Sequence, residues 1–362
     1  MKTIDINVKE KNYKIYIKKG LLSSIGEKLK SIYEGKNTVI ITDNNVEKLY
    51  MEILKKSLLD SGFIVKVISI EPGEKSKNLN ILEKVYGELC NLKIRRKDTI
   101  ISLGGGVVGD LAGFAASTYL RGINYIQVPT SLLAQVDSSI GGKVAVDLPW
   151  GKNLVGSFYH PDAVFIDPDV LLSLSHKFFS DGMAEVIKYG FIKDKSILEH
   201  LDLCADKDEV LNCIEDIIYK CCNIKKQLVE RDERDLGERM MLNFGHTLGH
   251  GIEKYYNYGE YSHGEAVAMG MAYITKRTEE MNMTRKGTYD YIKHILKKYE
   301  LPIDMPDIDK QILVDSIALD KKSSGNKINL ITIEEAGKCK IMKIELSKVY
   351  SFLFSENGQN NI

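Results

Sequence analysis

The sequence predicts an α/β domain built on a parallel sheet, followed by a mostly α-helical domain, with the active site in the cleft between them. Three observations carry this reading. Short apolar strands alternate with amphipathic helices up to about residue 175, a rhythm that puts helices on both faces of a parallel sheet. Beyond that point helical periodicity dominates. The length, 362 residues, exceeds one small core and suits two domains. The change of texture is abrupt, without internal repeat or low-complexity linker. The domains are therefore read as 1–175 and 176–362 with a tight cleft, a common place for a ligand site.

The elements follow in order. Thr3–Val8 and Tyr13–Ile17 alternate apolar and polar residues and read as an antiparallel pair. Thr38–Thr42 is a buried strand and Val46–Leu59 an amphipathic helix. Phe63–Ser69 is a strand and Leu79–Asn91 a helix. Thr99–Leu103 is a strand running into glycines, with a helix after it through Thr118. Tyr125–Val128 and Ala163–Ile166 are strands. The second half reads as helices over Phe179–Phe191, Val210–Glu230, Arg239–Tyr256, Gly264–Met281, Gly287–Tyr299 and Lys310–Ile317. Lys327–Ile333 and Lys338–Ile344 form a late hairpin, and a polar tail starts at Ser355.

Composition narrows the function. Lys+Arg and Asp+Glu balance at 50 each, which argues against a broad nucleic-acid or acidic-membrane surface. A local basic pocket for an anionic small molecule remains open. The first residues carry no apolar signal-type run, and no later run is long enough to span a bilayer. Six cysteines show no CxxC pair and no disulfide-like rhythm, so the expectation is reduced thiols in the cytoplasm.

The window 239–265 is the densest in chemistry. Three of the seven histidines, His246, His250 and His263, fall in it. His246 and His250 are spaced i, i+4 and share one face of a helix. Asn243 sits one turn before His246 on that same face, and Glu253 one turn after His250. Imidazoles and a carboxylate are what zinc takes where a position must stay open for chemistry. The alternative is a polar helix face with solvated histidines. Glu185 and Lys188, spaced i, i+3, are either a surface ion pair or, given apolar Ala184, Val186 and Ile187 around them, an inward-facing pair. In the second case Glu185 is a third ligand beside His246 and His263.

Gly104-Gly-Gly-Val-Val-Gly-Asp110 follows a strand and opens a helix. Bare backbone at a helix N-terminus suits a pyrophosphate. The acid expected some 20 residues on is missing, so this is a dinucleotide site of another build or a tight strand–helix turn. A second phosphate-friendly turn lies at Gly73-Glu74-Lys75-Ser76-Lys77, and Asp43 and Asn45 end a buried strand where an adenosine ribose could lie. Val136–Lys143 and Gly151-Lys152-Asn153 add lysines beside glycines, which reach phosphate or carboxylate with little steric cost. Each lysine alone also fits a solvated loop.

Assembled, these blocks resemble the 3-dehydroquinate synthases. The matching stretches are GGGVVGDLAGFAASTYLRGINYIQVPTSLLAQVDSSIGGK, PWGKNLVGSFYHP, GMAEVIKYG, LNFGHTLGHGIE and HGEAVAMG, in family order across residues 43–322. The resemblance implies a Rossmann-like N-terminal domain, a helical C-terminal domain, NAD, and Zn²⁺ or Co²⁺. It implies a sugar-phosphate substrate, 3-deoxy-D-arabino-heptulosonate 7-phosphate, converted by transient oxidation, β-elimination of phosphate, re-reduction and intramolecular aldol closure. It further implies metal ligands Glu185, His246 and His263. NAD contacts would be Asp43, Asn45, Glu74, Lys77, Gly105, Gly106, Val107, Asp110, Thr130, Ser131, Lys143, Lys152, Val170 and Ser173. Asp137, Lys143, Asn153, Lys188, Arg239, Asn243 and His250 would line the substrate, and His250 would move protons. Arg121 would reach the phosphate from the partner subunit of a homodimer. In Asp320-Lys321-Lys322 either lysine can be the inward one, with Lys321 taken as the candidate. One departure is Val144-Ala145-Val146-Asp147, where many members have Thr-Gly-Val-Asn. Rival readings are a metal-dependent polyol dehydrogenase, another sugar-phosphate cyclase, and a zinc-stabilised binding protein without turnover.

Overall fold

The computed structural model describes residues 1–33, 35–320 and 326–355. The chain divides into two compact units, Met1–Ser175 with Leu211–Arg234, and His176–Val210 with Asp235–Ile362.

The first unit is built on a seven-stranded sheet. Its strands are β1 (Lys2–Asn7), β2 (Asn12–Ile17), β3 (Asn37–Asp43), β4 (Ile64–Ile70), β5 (Thr99–Gly104), β6 (Asn124–Pro129) and β9 (Ala163–Ile166), in the order β1-β2-β9-β6-β5-β3-β4. β1 pairs antiparallel with β2, and every other pairing is parallel. Strands β3, β5, β6 and β9 are buried along nearly their whole length. Burial on both faces explains why their sequences are continuous apolar runs rather than alternating ones. One face packs on α3 (Leu79–Asn91) and α4 (Gly106–Thr118), through Val85, Leu89, Leu111 and Ala115. The other packs on α1 (Ile25–Lys30) and α2 (Asn44–Asp60), through Leu29, Leu54 and Leu58. The chain leaves β3 toward β4 and returns to β5 on the other side, so the sheet's switch point lies between Asp43 and Gly104. That is where open α/β sheets take ligands.

A hairpin inserted between β6 and β9 consists of β7 (Lys143–Leu148) and β8 (Gly151–Phe158). Its glycines and lysines suggest a loop, whereas Val144 and Val146 are buried on the helix–sheet core. Before it, Ala134–Ser138 forms one π-helical turn.

The second unit is mostly helical: α5 (His176–Ile192), α6 (Lys195–Leu203), α8 (His246–Tyr255), α9 (His263–Glu280), α10 (Thr288–Lys298), α11 (Lys310–Asp320) and α12 (Leu346–Phe354), with a hairpin of β10 (Lys327–Glu335) and β11 (Lys338–Glu345). Helix α7 (Lys207–Arg231) contributes Leu211–Arg231 to the first unit, although sequence texture alone placed it with the helices of the second. No described helix is long and apolar enough to cross a membrane.

One predicted element breaks in two. The helix expected over Arg239–Tyr256 is a short 3₁₀ segment, Glu238–Asn243, followed by α8 starting at His246. Gly245 separates them in the left-handed region, at φ 81°. A side chain there would meet Met271 Cγ at 2.4 Å and the Val267 carbonyl oxygen at 2.6 Å on α9. Only glycine serves both the turn and the close approach. Asn243 is therefore not on the face of α8.

Candidate active site

Helices α5, α8 and α9 bring three ligand-type side chains together. Glu185, His246 and His263 each offer an atom within 4.8 Å of the others, a grouping that could hold a metal ion. Glu185 Oε1 lies 3.4 Å from His246 Nε2 and 3.7 Å from His263 Nε2. Both rings have their other nitrogen engaged. His246 Nδ1 donates to the Phe244 carbonyl at 3.1 Å, and His263 Nδ1 donates to Glu253 Oε2 at 3.3 Å. Each imidazole is thereby held with Nε2 turned toward the same carboxylate, the arrangement a metal-binding histidine needs.

The local sequence explains the convergence. His263 opens α9 behind a capping box, in which Ser262 Oγ accepts from Glu265 N and Glu265 Oε2 accepts from Ser262 N. Gly264 lets α9 lie against α5, since a Cβ there would sit 2.3 Å from the Asp181 carbonyl oxygen. The His-Gly-Glu triplet thus supplies a ligand-type ring, a close approach and a cap.

Burial tunes the charges. Glu185 and Lys188 are each 1% exposed and form an ion pair, so the pair faces inward rather than solvent. Burial, then the Lys188 ammonium, hold His246 well below the ordinary imidazole range. It is neutral, as a metal ligand must be. Burial opposes charge on His263, but the Glu185 and Glu253 carboxylates beside the ring outweigh it and raise the group to about 10. Two carboxylates around one ring thus call for a cation, proton or metal. His250 is exposed on α8, its ring 5.4 Å from His246 and 6.0 Å from His263. It also belongs to a second grouping, with Glu253 and His263. Glu185 is the deeper carboxylate and has two Nε2 atoms aimed at it, so the first grouping is the better metal cradle. Arg239, 2% exposed, and Asn243 lie on the 3₁₀ segment of the same unit.

The first unit holds the nucleotide-type residues. Asp43 ends β3 and caps α2, accepting from Asn45 N at 2.9 Å and Val46 N at 3.1 Å. Across the switch point, Thr42 Oγ1 donates to the Leu103 carbonyl at 2.8 Å. Gly105 caps α4, with Val107 in its first turn and Ser131 beside it. A Cβ on Gly105 or Gly106 would meet nothing nearer than the hydroxyls of Ser131 at 3.4 Å and Ser138 at 3.3 Å respectively. The turn is an open backbone cradle of the kind a pyrophosphate fills. Thr130 N donates to the Gly104 carbonyl at 3.0 Å. Val170 is buried, and its carbonyl accepts from Tyr50 and from Ser173 Oγ.

Lys77 is 5% exposed and sits among three carboxylates: Glu74 at 2.7 Å, Asp110 at 3.4 Å and Asp147 at 3.8 Å. Burial works against its charge, but Asp110 and Glu74 raise it well above the ordinary lysine value. Burial lifts Asp110 to about 6 against the pull of Lys77.

Sequence reading missed two residues here. Lys225 on α7 is 4% exposed and donates to the Asp137 carbonyl at 2.6 Å and its Oδ1 at 2.9 Å. A lysine among the lysines of an amphipathic helix gives no signal of that kind. Asp147 was noticed only as a departure from a pattern. Arg121 lies in a turn where Leu120, Arg121 and Gly122 all have positive φ, 51°, 66° and 113°. Lys321 lies outside the described residues.

Comparison with known proteins agrees along the chain. Residues 67–181 match the family model "3-dehydroquinate synthase N-terminal" and residues 182–323 match "3-dehydroquinate synthase C-terminal". A 3-dehydroquinate synthase of Clostridium kluyveri is 79% identical over 99% of both chains. One of Clostridium botulinum is 56% identical over 93% of this chain and 97% of its own. Among solved structures, 2-deoxy-scyllo-inosose synthase complexed with carbaglucose-6-phosphate, NAD⁺ and Co²⁺ is 25% identical. It covers 97% of this chain and 99% of its own, with a TM-score of 0.86.

Proposed function

The chain belongs to the 3-dehydroquinate synthase family, and from that premise we infer how its residues convert 3-deoxy-D-arabino-heptulosonate 7-phosphate to 3-dehydroquinate and phosphate. The observation that carries the assignment is the meeting of Glu185, His246 and His263 with both Nε2 atoms on one carboxylate. Their donor set suits Zn²⁺ or Co²⁺ with a position left for substrate. When bound, NAD supplies a reversible hydride acceptor and the metal polarises substrate hydroxyls.

The chain's own residues have separate tasks in this reading. Glu185, His246 and His263 hold the metal, and Glu253 keeps His263 in the right tautomer. Asp43, Glu74, Lys77, the backbone of Gly105 to Val107, Asp110, Thr130, Ser131 and Lys152 hold NAD, with Asn45, Val170 and Ser173 at its edge. Lys143, Asn153, Lys188, Arg239 and Asn243 orient the carboxylate, hydroxyls and phosphate of the substrate. Lys225 and Asp137, already paired, join that set. His250, exposed and not needed as a ligand, moves the proton of the elimination. Arg121 reaches the phosphate of a second copy in a homodimer. The free cysteines fit a reducing, cytoplasmic setting. With substrate and NAD present, chelation should stop phosphate release and Zn²⁺ or Co²⁺ should restore it. Full activity in metal-free protein would remove the metal assignment.

A further inference from the structure

The hairpin β7–β8 carries a bulge at Asp147. Val146 pairs with Val155 and Leu148 with Gly151, so the register shifts across Asp147. Taken out of the ladder, Asp147 turns its backbone and its carboxylate to other work. Its N–H donates to the Lys77 carbonyl at 2.8 Å, and Asn78 bridges to it in parallel. Its Oδ1 accepts from Asn153 N at 2.7 Å and lies 3.8 Å from Lys77 Nζ. Asn153 sits in the left-handed region at φ 56°, a conformation a non-glycine residue keeps only when something holds it. Between the two residues runs the turn Leu148-Pro-Trp-Gly-Lys152.

We propose that Asp147 is a positioning residue that ties the turn presenting Lys152 and Asn153 to Lys77, so that the nucleotide side and the substrate side are set as one piece. The inference rests on the proposed assignment of Lys77 to NAD and of Asn153 to substrate. The tie itself rests on geometry alone. The carboxylate of residue 147 accepts from Asn153 N, and a bulge is a device for aiming a side chain. Glu74, ion-paired with Lys77 at 2.7 Å, closes the group. Asparagine keeps one acceptor oxygen at the same place, so Asp147→Asn should hold Asn153 while Asp147→Ala releases it.

The molecule contains its own reporter. Trp150, the sole tryptophan, lies in this turn and is 81% exposed. Time-resolved anisotropy of Trp150 in the full-length protein with NAD and Zn²⁺ reads the turn's nanosecond motion without turnover. Asp147→Ala should raise the amplitude of that motion roughly twofold, and Asp147→Asn should leave it near wild type. In steady-state kinetics Asp147→Ala should raise the KM for the heptulosonate phosphate about fivefold, the loss of one hydrogen bond, with kcat changed less, and Asp147→Asn should recover it. Unchanged Trp150 motion in Asp147→Ala, with thermal stability retained, overturns the proposal. So does an Asp147→Asn variant as mobile as Asp147→Ala. Increased motion with an unaltered KM upholds the tie and instead overturns the assignment of Asn153 to substrate. If Asp147→Ala fails to fold, Asp147→Leu, which keeps the side-chain volume and removes the acceptor oxygen, gives the same reading of Trp150.

Discussion

His263 donates from Nδ1 to Glu253 Oε2 across 3.3 Å, and that bond decides which nitrogen faces Glu185. Glu253 itself is 3% exposed. A buried carboxylate behind a ligand histidine fixes the ring and makes its free nitrogen more basic.

Glu253→Gln should therefore weaken metal binding without abolishing it. Supports of this kind are typically worth about 10–100-fold in affinity. Competition with a chromophoric chelator measures it. A variant with no metal at all would make Glu253 a ligand and favour its grouping with His250 and His263.

His250→Ala should keep stoichiometric metal and still bind NAD, yet lose about 10²–10⁴-fold in the elimination step. Metal analysis beside single-turnover phosphate release separates the two effects. Loss of metal in this variant would redraw the roles of the two α8 histidines.

Asp110 gives a pH prediction whose sign is fixed. Its folded-state value, about 6, is raised above the ordinary 3.8 by burial. Its contribution to stability is thus fully present below about 3.8 and is lost as pH rises through about 6. Asp110→Asn should stabilise the NAD-free protein at pH 7 by ~1–3 kcal/mol and flatten its stability between pH 4 and 6. Lys77 keeps Glu74 and Asp147 as partners in that variant. A denaturant series across that range checks it, and equal pH dependence of variant and wild type would contradict it.

The strand–helix alternation was legible because parallel strands are buried on both faces and therefore read as unbroken apolar runs. The grouping of Glu185, His246 and His263 was legible because histidines are scarce and Glu185 lies among Ala184, Val186 and Ile187. Three things were not. The break before His246 depends on how closely Gly245 approaches Met271 and Val267, some 22–26 residues onward. Strands β7 and β8 are rich in glycine and lysine, although Val144, Val146 and Leu148 do keep a period of two. Lys225 is singled out only by Asp137, 88 residues earlier, a pairing no local pattern contains.

Arg121→Ala should raise the substrate's KM while leaving NAD affinity near wild type, because its turn is separate from the Lys77 cluster. Heterodimers of this variant with Lys188→Ala should regain part of the activity, since each proposed site draws on both chains. Absence of rescue in verified heterodimers would place each site within one subunit.

The central claim is that NAD is reduced and reoxidised within one turnover. Each cycle should release one phosphate and leave the cofactor as it began. The direct measurement follows inorganic phosphate and absorbance at the NADH wavelength together, with metal-loaded protein, excess heptulosonate phosphate and a trace of NAD. The account predicts phosphate equal to substrate consumed, over many turnovers per NAD, with no NADH accumulating at steady state. NADH rising in step with substrate oxidised, without phosphate, would mean a dehydrogenase built from the same parts and would contradict the account.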